Sequence, residues 1–193
     1  MTEADFPLLS LIITIPLLGA LLAGSIRNVD VAKQIAFFTA LITFVLTACA
    51  ALLFDADKSG FQLVERYDWI PLLKIEYLVG VDGISVLFLP MTGLLTIITM
   101  LASWSAISHS SRFHFSLLLA LESVSIGVFC ALDTVLFFLF WELTLPPFFF
   151  LIGLWGIGSQ RRSAAMKYTL FMLAGGVTLL LAIIVLATNH AKQ

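Results

Sequence analysis

The chain has 193 residues, of which 61% are hydrophobic and 11% are charged. This composition excludes a soluble globular domain and is typical of a membrane protein with several spans. The charged residues are scattered at the ends of apolar runs instead of clustering, so the charge pattern points to a lipid bilayer and to no nucleic-acid partner. Cys49 and Cys130 lie inside apolar runs, where we expect buried small side chains and neither a disulfide nor a zinc site.

Six apolar runs are long enough to cross the bilayer core as helices, which takes about 20 residues each. They cover residues 7–26, 34–54, 83–104, 115–132, 134–157 and 164–188. Only Asp133 separates the fourth run from the fifth, so we expect these two helices to form a tight antiparallel hairpin. The sequence therefore predicts an all-α membrane fold that occupies residues 1–193 as a single transmembrane domain.

The loop charges predict the orientation of these helices. Basic residues fall between the first and second helices, between the third and fourth, and between the fifth and sixth: Arg27, Lys33, Arg112, Arg161 and Arg162. Because short cytoplasmic loops carry the excess of lysine and arginine, we expect these loops inside and both termini outside. His109 and His114 flank Arg112, and we expect solvated loop histidines there.

The one long hydrophilic stretch, residues 55–82, lies on the outer side in this topology. Polar and apolar residues alternate at positions 74–77, which indicates a short strand or hairpin on the membrane surface, although an ordinary ordered loop fits equally well. Asp82 stands just before the third helix, where its carboxylate can accept hydrogen bonds from the first-turn N–H groups.

Glu142 lies in the most apolar stretch of the chain, where an ionised carboxylate costs several kcal/mol unless another group compensates it. Pro146 lacks an N–H, so the carbonyl of Glu142 loses its helical partner, and Pro147 does the same to Leu143. Thr144 adds a hydroxyl at this level. We therefore expect a kinked helix with a hydrated carboxylate, a plausible station on a proton path; a kink that only shapes packing is the alternative.

Glu122 is the second acid within the apolar runs. It precedes Asp133 by eleven residues and Glu142 follows Asp133 by nine, so the two carboxylates are predicted at the same depth to within about 3 Å. If their faces converge, each carboxylate favours protonation of the other. Alternatively, Glu122 is a permanently protonated side chain that holds two helices together.

Lys167 lies five residues beyond Arg162, which is roughly 8 Å along a helix. Its ammonium group can therefore snorkel to the cytoplasmic surface or reach inward toward a carboxylate. The sequence contains no phosphate loop, metal cluster or hydrolytic triad, and this chain alone offers no redox chemistry.

Three stretches resemble the antiporter-like membrane subunits of respiratory complex I, and among them the M subunit (chain 4). They are residues 78–85, 132–156 and 164–168. The most specific part is Phe-Trp-Glu with a proline four residues after the glutamate, followed by Leu-Ile-Gly-Leu-Trp-Gly.

The resemblance implies roles for three of these residues. The fifth-helix glutamate on which proton translocation depends in that family corresponds to Glu142, the lysine early in the sixth helix to Lys167, and an acid of the fourth helix to Glu122. It further implies a place in the cell (inner) membrane among other membrane-arm subunits. Flavin, iron–sulfur clusters and quinone are expected in those partners, with no cofactor and no catalytic activity in this chain.

The chain departs from this family in its length. Family members have about fourteen helices that include inverted repeats, and the lysines that they carry on their seventh and eighth helices are missing here. We expect a truncated chain, one part of a split subunit, or a small variant assembled with other chains. Two other classes remain open: a subunit of a cation/proton antiporter or membrane-bound hydrogenase complex, and a non-transporting structural subunit. An intramembrane hydrolase is a third, remote class, because two carboxylates at one depth can share a proton.

Overall fold

The computed structural model describes residues 6–73 and 75–190, without the side chains of Leu73 and His190. Its helices are α1 Leu8–Ser25, α2 Val29–Leu53, α3 Ser85–Ala106, α4 Ser111–Cys130, α5 Thr134–Leu143, α6 Leu145–Trp155 and α7 Arg161–His190; its strands are β1 Gln62–Ile70 and β2 Ile75–Val81. Six helical spans in this part of the chain are long and apolar enough to cross a membrane, with α5 and α6 forming the fifth. The predicted six-helix membrane fold is confirmed.

Helices α2, α4 and α7 begin earlier than the hydropathy pattern predicted, and their first turns carry polar residues. Helix α2 begins at Val29 because the Asn28 side chain accepts hydrogen bonds from the N–H groups of Asp30 and Val31, at 3.0 and 3.3 Å. Helix α4 begins at Ser111 and therefore includes Arg112 and His114. The polar first turns of these helices thus extend beyond the apolar runs that predicted them.

The stretch between α2 and α3 contains the predicted hairpin. Strands β1 and β2 pair antiparallel, and a bidentate ion pair joins Arg66 to Glu76 across them at 2.7 Å. The hairpin lies on the α4–α5 turn, where the N–H of Leu132 donates to the carbonyl of Leu78 at 2.9 Å. Lys74, one of the residues whose alternation indicated a strand, lies outside the described residues.

The hairpin also caps the first helix. Glu65 of β1 is 4% exposed and accepts hydrogen bonds from the backbone of Leu9 (2.6 Å) and of Ser10 (3.1 Å), and from the Ser10 hydroxyl. The preceding residue, Pro7, supplies no side-chain cap. A carboxylate distant in sequence therefore satisfies the N–H groups that a helix start leaves without partners, and it faces the positive end of the helix dipole.

Helix α4 lies at the centre of the bundle and is the most buried span. Its Ser116 and Ser123 hydroxyls each donate to α1 carbonyls at 2.6 Å, and Gly127 leaves room for the Phe140 ring of α5. Helix α7 lies at the edge, where it packs against α5 and α6 and leaves most of its side chains exposed. Cys130 is buried as predicted, whereas Cys49 is exposed on α2, so the prediction for Cys49 was wrong.

The charged loops separate to opposite ends of the bundle. At one end the ammonium of Lys33 donates to the carbonyl of Trp104 at 2.7 Å, and Arg112 donates to the carbonyl of Ile26 at 3.0 Å. These bonds join the α1–α2 and α3–α4 connections. The hairpin and Asp133 lie at the other end. The grouping of basic loops on one side therefore agrees with the up-and-down order of the helices.

Histidine 114 does not lie in a solvated loop. Its ring is buried in α4, 4.7 Å from the ring of Trp155, and neither ring nitrogen has a hydrogen-bond partner in the described part of the chain. The expectation for His114 was wrong because α4 begins three residues before it.

Candidate functional site

The predicted interruption of the fifth span lies at Thr144. Helix α5 ends at Leu143 and α6 begins at Leu145, while Thr144 keeps helical dihedral angles, with φ −71° and ψ −25°. Pro146 and Pro147 supply no N–H groups to the preceding turn, so backbone hydrogen bonds are missing here. The backbone dihedral angles of Thr144 nevertheless remain helical. Both the N–H (3.2 Å) and the hydroxyl (2.7 Å) of Thr144 donate to the carbonyl of Trp141. The Thr144 hydroxyl therefore satisfies the backbone and not the carboxylate of Glu142.

Glu142 lies at the end of α5 and faces α7. It lines a groove of about 440 Å³ together with apolar residues of α6 and α7, and the polar Thr169 of α7. Glu142 Oε1 and Thr169 Oγ1 are both buried, and neither has a hydrogen-bond partner among the described residues. Two unsatisfied oxygens at one apolar groove form a place that a proton or a water molecule would satisfy.

Gly176 sets the distance between the Glu142 carboxylate and α7. A Cβ placed on Gly176 would overlap Glu142 Oε1 and would lie 2.9 Å from Glu142 Cδ. The neighbouring Gly175 has open space at the same position. The close approach to α7 therefore occurs at Gly176, and the group that approaches is the glutamate side chain itself.

The two membrane carboxylates do not share a cavity. Glu122 is 1% exposed and points toward α3, where it lines a cavity of about 290 Å³, here called the Glu122 cavity. Glu142 faces α7 on another side of the bundle. The predicted similarity in depth therefore brings no convergence of faces, because α4 presents Glu122 to α3 while α5 presents Glu142 to α7.

A third cavity separates the two acids. It measures about 250 Å³ and lies between α4, the α5–α6 break and α7, with Thr144 and Tyr168 in its lining. Ser125 and Phe129 line both this cavity and the Glu122 cavity. The serine hydroxyl is thus the polar group at the boundary between them.

Lys167 is exposed on α7. The ion pairs in the described part of the chain are Lys58 with Asp55 at 3.1 Å and Arg66 with Glu76, and both lie near the hairpin. Lys167 therefore has no direct pair with Glu142 here.

Asp82 lies at the start of α3, where its Oδ1 accepts hydrogen bonds from the N–H groups of Ile84 (3.1 Å) and Ser85 (2.6 Å). In return, the Ser85 hydroxyl accepts from the N–H of Asp82 at 3.0 Å. The backbone hydrogen bond from Ser85 is the main cause that lowers the pKa of the Asp82 carboxyl. Asp82 supports the fold and lies far from the carboxylates within the spans.

Sequence reasoning missed Thr169 and Glu65. Thr169 lies two residues beyond Lys167, and its helical spacing of seven from Gly176 places both on one face of α7; this spacing was the available signal. Glu65 lies in a hydrophilic stretch, and no local pattern pairs it with a helix start 55 residues away.

Comparisons with known proteins agree with this architecture. The family described as "NADH:quinone oxidoreductase/Mrp antiporter, TM" matches residues 131–192. NAD(P)H-quinone oxidoreductase chain 4 of Prochlorococcus marinus is 36% identical over 93% of this chain and 34% of its own length. F(420)H(2) dehydrogenase subunit M of Methanosarcina mazei is 35% identical over 92% of this chain and 36% of its own length. The chain thus spans about a third of the length of these relatives, and its resemblance to M-type subunits is confirmed.

Solved structures share the fold at lower identity. A chain of the membrane-bound sulfane sulfur reductase, an archaeal respiratory membrane complex, matches with a TM-score of 0.78 and 23% identity over 95% of this chain and 28% of that chain. A chain of the Mrp complex from Dietzia sp. matches with a TM-score of 0.72 and 22% identity over 91% of this chain and 18% of that chain.

Proposed function

We propose that this chain, similar along 93% of its length to the M (chain 4) type of antiporter-like membrane subunit, forms part of the proton-translocating membrane arm of an NADH-quinone oxidoreductase. Glu142 is the proton station in this proposal. One observation carries it: a membrane carboxylate lies at a helix break, against a glycine, with one buried oxygen that no described group satisfies. A purely structural glutamate would find a partner, because buried polar groups are ordinarily hydrogen-bonded.

The groove supports uptake and release of a proton by Glu142. Its lining is apolar apart from Glu142 and Thr169, so a proton, a cation or a water molecule that enters the groove would be the partner of the unsatisfied Glu142 oxygen. Gly176 lets the carboxylate lie against the α7 backbone, where a small movement of α7 changes its surroundings. In a complete assembly, electron transfer elsewhere would move charge along a row of carboxylates and lysines and thereby change the protonation of Glu142.

Lys167 and Glu122 are further stations in this proposal. In this proposal Lys167 communicates with Glu142 through water, because its side chain is exposed on α7 and makes no ion pair with Glu142 among the described residues. Glu122 holds a proton in its own cavity and acts from the opposite side of α4. Water is the required link in both cases, and the cavity between α4 and α7 supplies room for it.

The proposed orientation in the membrane rests on the separation of charge between the two ends of the helix bundle. We assign the end with Arg27, Arg112 and Arg161 to the cytoplasm and the hairpin end to the outside, with both termini outside, because of the excess of basic residues in short inner loops. The membrane is the inner membrane of a cell. The flavin, iron–sulfur clusters and quinone are assigned to partner subunits of the complex, and this chain acts without its own redox group.

A second assignment is favoured by one relative. The F(420)H(2) dehydrogenase subunit M has nearly the same identity to this chain as the chain 4 proteins do, so the electron donor of the complex can be other than NADH. Gentle detergent extraction followed by identification of the co-purifying subunits distinguishes these complexes. Partners with an NADH-binding flavoprotein support the first assignment, and partners without one support the second.

Substitution of Glu142 by Gln tests the proposed station. The amide keeps the shape of the side chain but cannot donate a titrating proton, so we expect proton pumping by membrane vesicles to fall to background while the complex still assembles. Pumping is measured from the quenching of a pH-sensitive dye after addition of the electron donor.

The matched control is Asp57→Asn, which removes the same charge from an exposed loop residue and is expected to leave pumping unchanged. If the Glu142→Gln vesicles pump at the original rate, Glu142 is a structural residue and the proposal fails.

A further inference from the structure

The Glu122 cavity combines a fully buried acid with a row of hydroxyl groups. Thr92, Thr96 and Thr99 of α3 line it, and Ser125 of α4 lies one helical turn from Glu122. Glu122 is 1% exposed, and neither of its carboxylate oxygens has a hydrogen-bond partner in the part of the chain that the structure describes. An unsatisfied buried carboxylate directed into a cavity implies a missing proton donor.

The threonines cannot be that donor in their observed geometry. Each donates its hydroxyl proton to the carbonyl four residues earlier on α3: Thr92 to Phe88 at 2.7 Å, Thr96 to Thr92 at 3.0 Å and Thr99 to Leu95 at 2.7 Å. Their oxygens therefore present only lone pairs to the cavity. The carboxylate and the threonine row are all acceptors, and the Ser125 hydroxyl makes no hydrogen bond to Glu122. Such a site is completed by a proton on the carboxyl group and by water molecules that donate to the threonines.

We propose that the Glu122 cavity is a hydrated proton-exchange site, in which protonated Glu122 exchanges its proton through water held along Thr92, Thr96 and Thr99. The cavity volume of about 290 Å³ is large enough for several water molecules, each of which occupies roughly 30 Å³ in the liquid. The threonine row extends along α3, so it orders water in the direction of the membrane normal. This route is separate from the Glu142 groove, which faces α7.

A role of the Glu122 proton in translocation rests on the proposed function. Exchange at Glu122 is nevertheless measured without transport. A failure here leaves the Glu142→Gln test intact, and a failure of that test leaves this one intact.

The test is hydrogen–deuterium exchange of the Glu122 carboxyl group, followed by infrared spectroscopy of the full chain in lipid. Glu122→Gln identifies the carbonyl band of the protonated acid. In Thr96→Val, the loss of an acceptor at the middle of the row is expected to slow deuterium exchange of this band by roughly tenfold, the factor equivalent to about 1.4 kcal/mol. Thr96→Ser, which retains the hydroxyl, is expected to restore the original rate.

Thr178→Val is the matched control, because Thr178 also donates to the carbonyl four residues earlier but lies exposed on α7. In Thr178→Val the deuterium exchange rate of the Glu122 carboxyl group is expected to be unchanged. Circular dichroism confirms that each variant is folded. Three results would overturn the proposal: no protonated Glu122 band at neutral pH, equal exchange rates in Thr96→Val and the parent, or loss of the band on adding sodium at constant pH. The last result would show a metal-cation site.

Discussion

At the scale of single residues, the membrane carboxylates differ in what surrounds them. Glu122 faces threonine hydroxyls that already donate to backbone carbonyls, whereas Glu142 faces a glycine backbone, Thr169 and apolar side chains. Each has a buried oxygen without a partner among the described residues. The two side chains line different cavities, because Glu122 faces α3 and Glu142 faces α7.

The Gly176 contact predicts a sharp difference between two adjacent glycines. In Gly176→Ala the new methyl group collides with Glu142 Oε1, so the carboxylate must rotate or α7 must move away. We expect pumping by this variant to fall about tenfold or more, as small displacements of a reacting group can cost that much or more. The measurement is dye quenching in membrane vesicles at matched complex content.

Gly175→Ala is the control within the same helix turn, since its added methyl meets open space. It is expected to pump at the parental rate and to be slightly more stable, because alanine is favoured over glycine in a helix by roughly 1 kcal/mol. Equal loss of pumping in both variants would indicate a general effect on α7 and not displacement of Glu142.

At the scale of the elements, the β1–β2 hairpin organises helix starts. Glu65 of β1 caps α1, and β2 leads directly into Asp82, which caps α3. The same hairpin pairs with the α4–α5 turn through Leu132. Two helix starts and one helix–helix turn are therefore positioned at the end of the bundle opposite the basic loops by one two-stranded unit.

The Asp82 cap predicts a pH dependence of stability. Its pKa is lowered in the folded chain, so its contribution to stability is present above the ordinary aspartate pKa of about 4 and is lost as the pH falls through the lower folded value. Asp82→Ala is expected to lower the free energy of unfolding by about 1 kcal/mol at neutral pH. The difference from the parent should begin to shrink as the pH falls below about 4, and it should disappear below the lower folded pKa, where the parental cap is itself protonated.

Thermal unfolding in detergent at a series of pH values measures this difference. Asp57→Ala, at an exposed loop residue, serves as the comparison and is expected to change stability little at any pH. A deficit in Asp82→Ala that stays constant through the acidic range would exclude titration of the cap as its cause.

At the scale of the whole molecule, hydropathy and loop charge predicted most of the fold. A membrane helix satisfies the backbone groups of a long apolar run within the run itself, so the number of spans followed from the number of runs. The helix starts at Val29 and Ser111 were missed because polar first turns look like loops in a hydropathy pattern.

The candidate site was only partly predictable, because depth follows from counting residues whereas direction does not. Counting placed Glu122 and Glu142 at one depth, yet the rotation of α4 and α5 about their axes depends on tertiary packing such as that of Phe140 on Gly127. The break at Thr144 was readable from two consecutive prolines, which act locally. Gly176 was visible as a small residue, but its contact with Glu142 joins two helices and needs the structure.

The separation of charge between the ends of the bundle predicts which end each loop reaches. A cysteine at Asp57, beside the hairpin, and a cysteine at Gln160, between α6 and α7, lie at exposed positions on opposite ends. They are introduced one at a time in a chain whose Cys49 and Cys130 are replaced by alanine. In intact cells or right-side-out vesicles, a membrane-impermeant maleimide is expected to label Asp57→Cys, while Gln160→Cys is labelled only after permeabilisation. The reverse pattern would place the basic loops outside, and Glu142, which is nearer the Asp133 end of its span than the Gln160 end, would then lie nearer the cytoplasm.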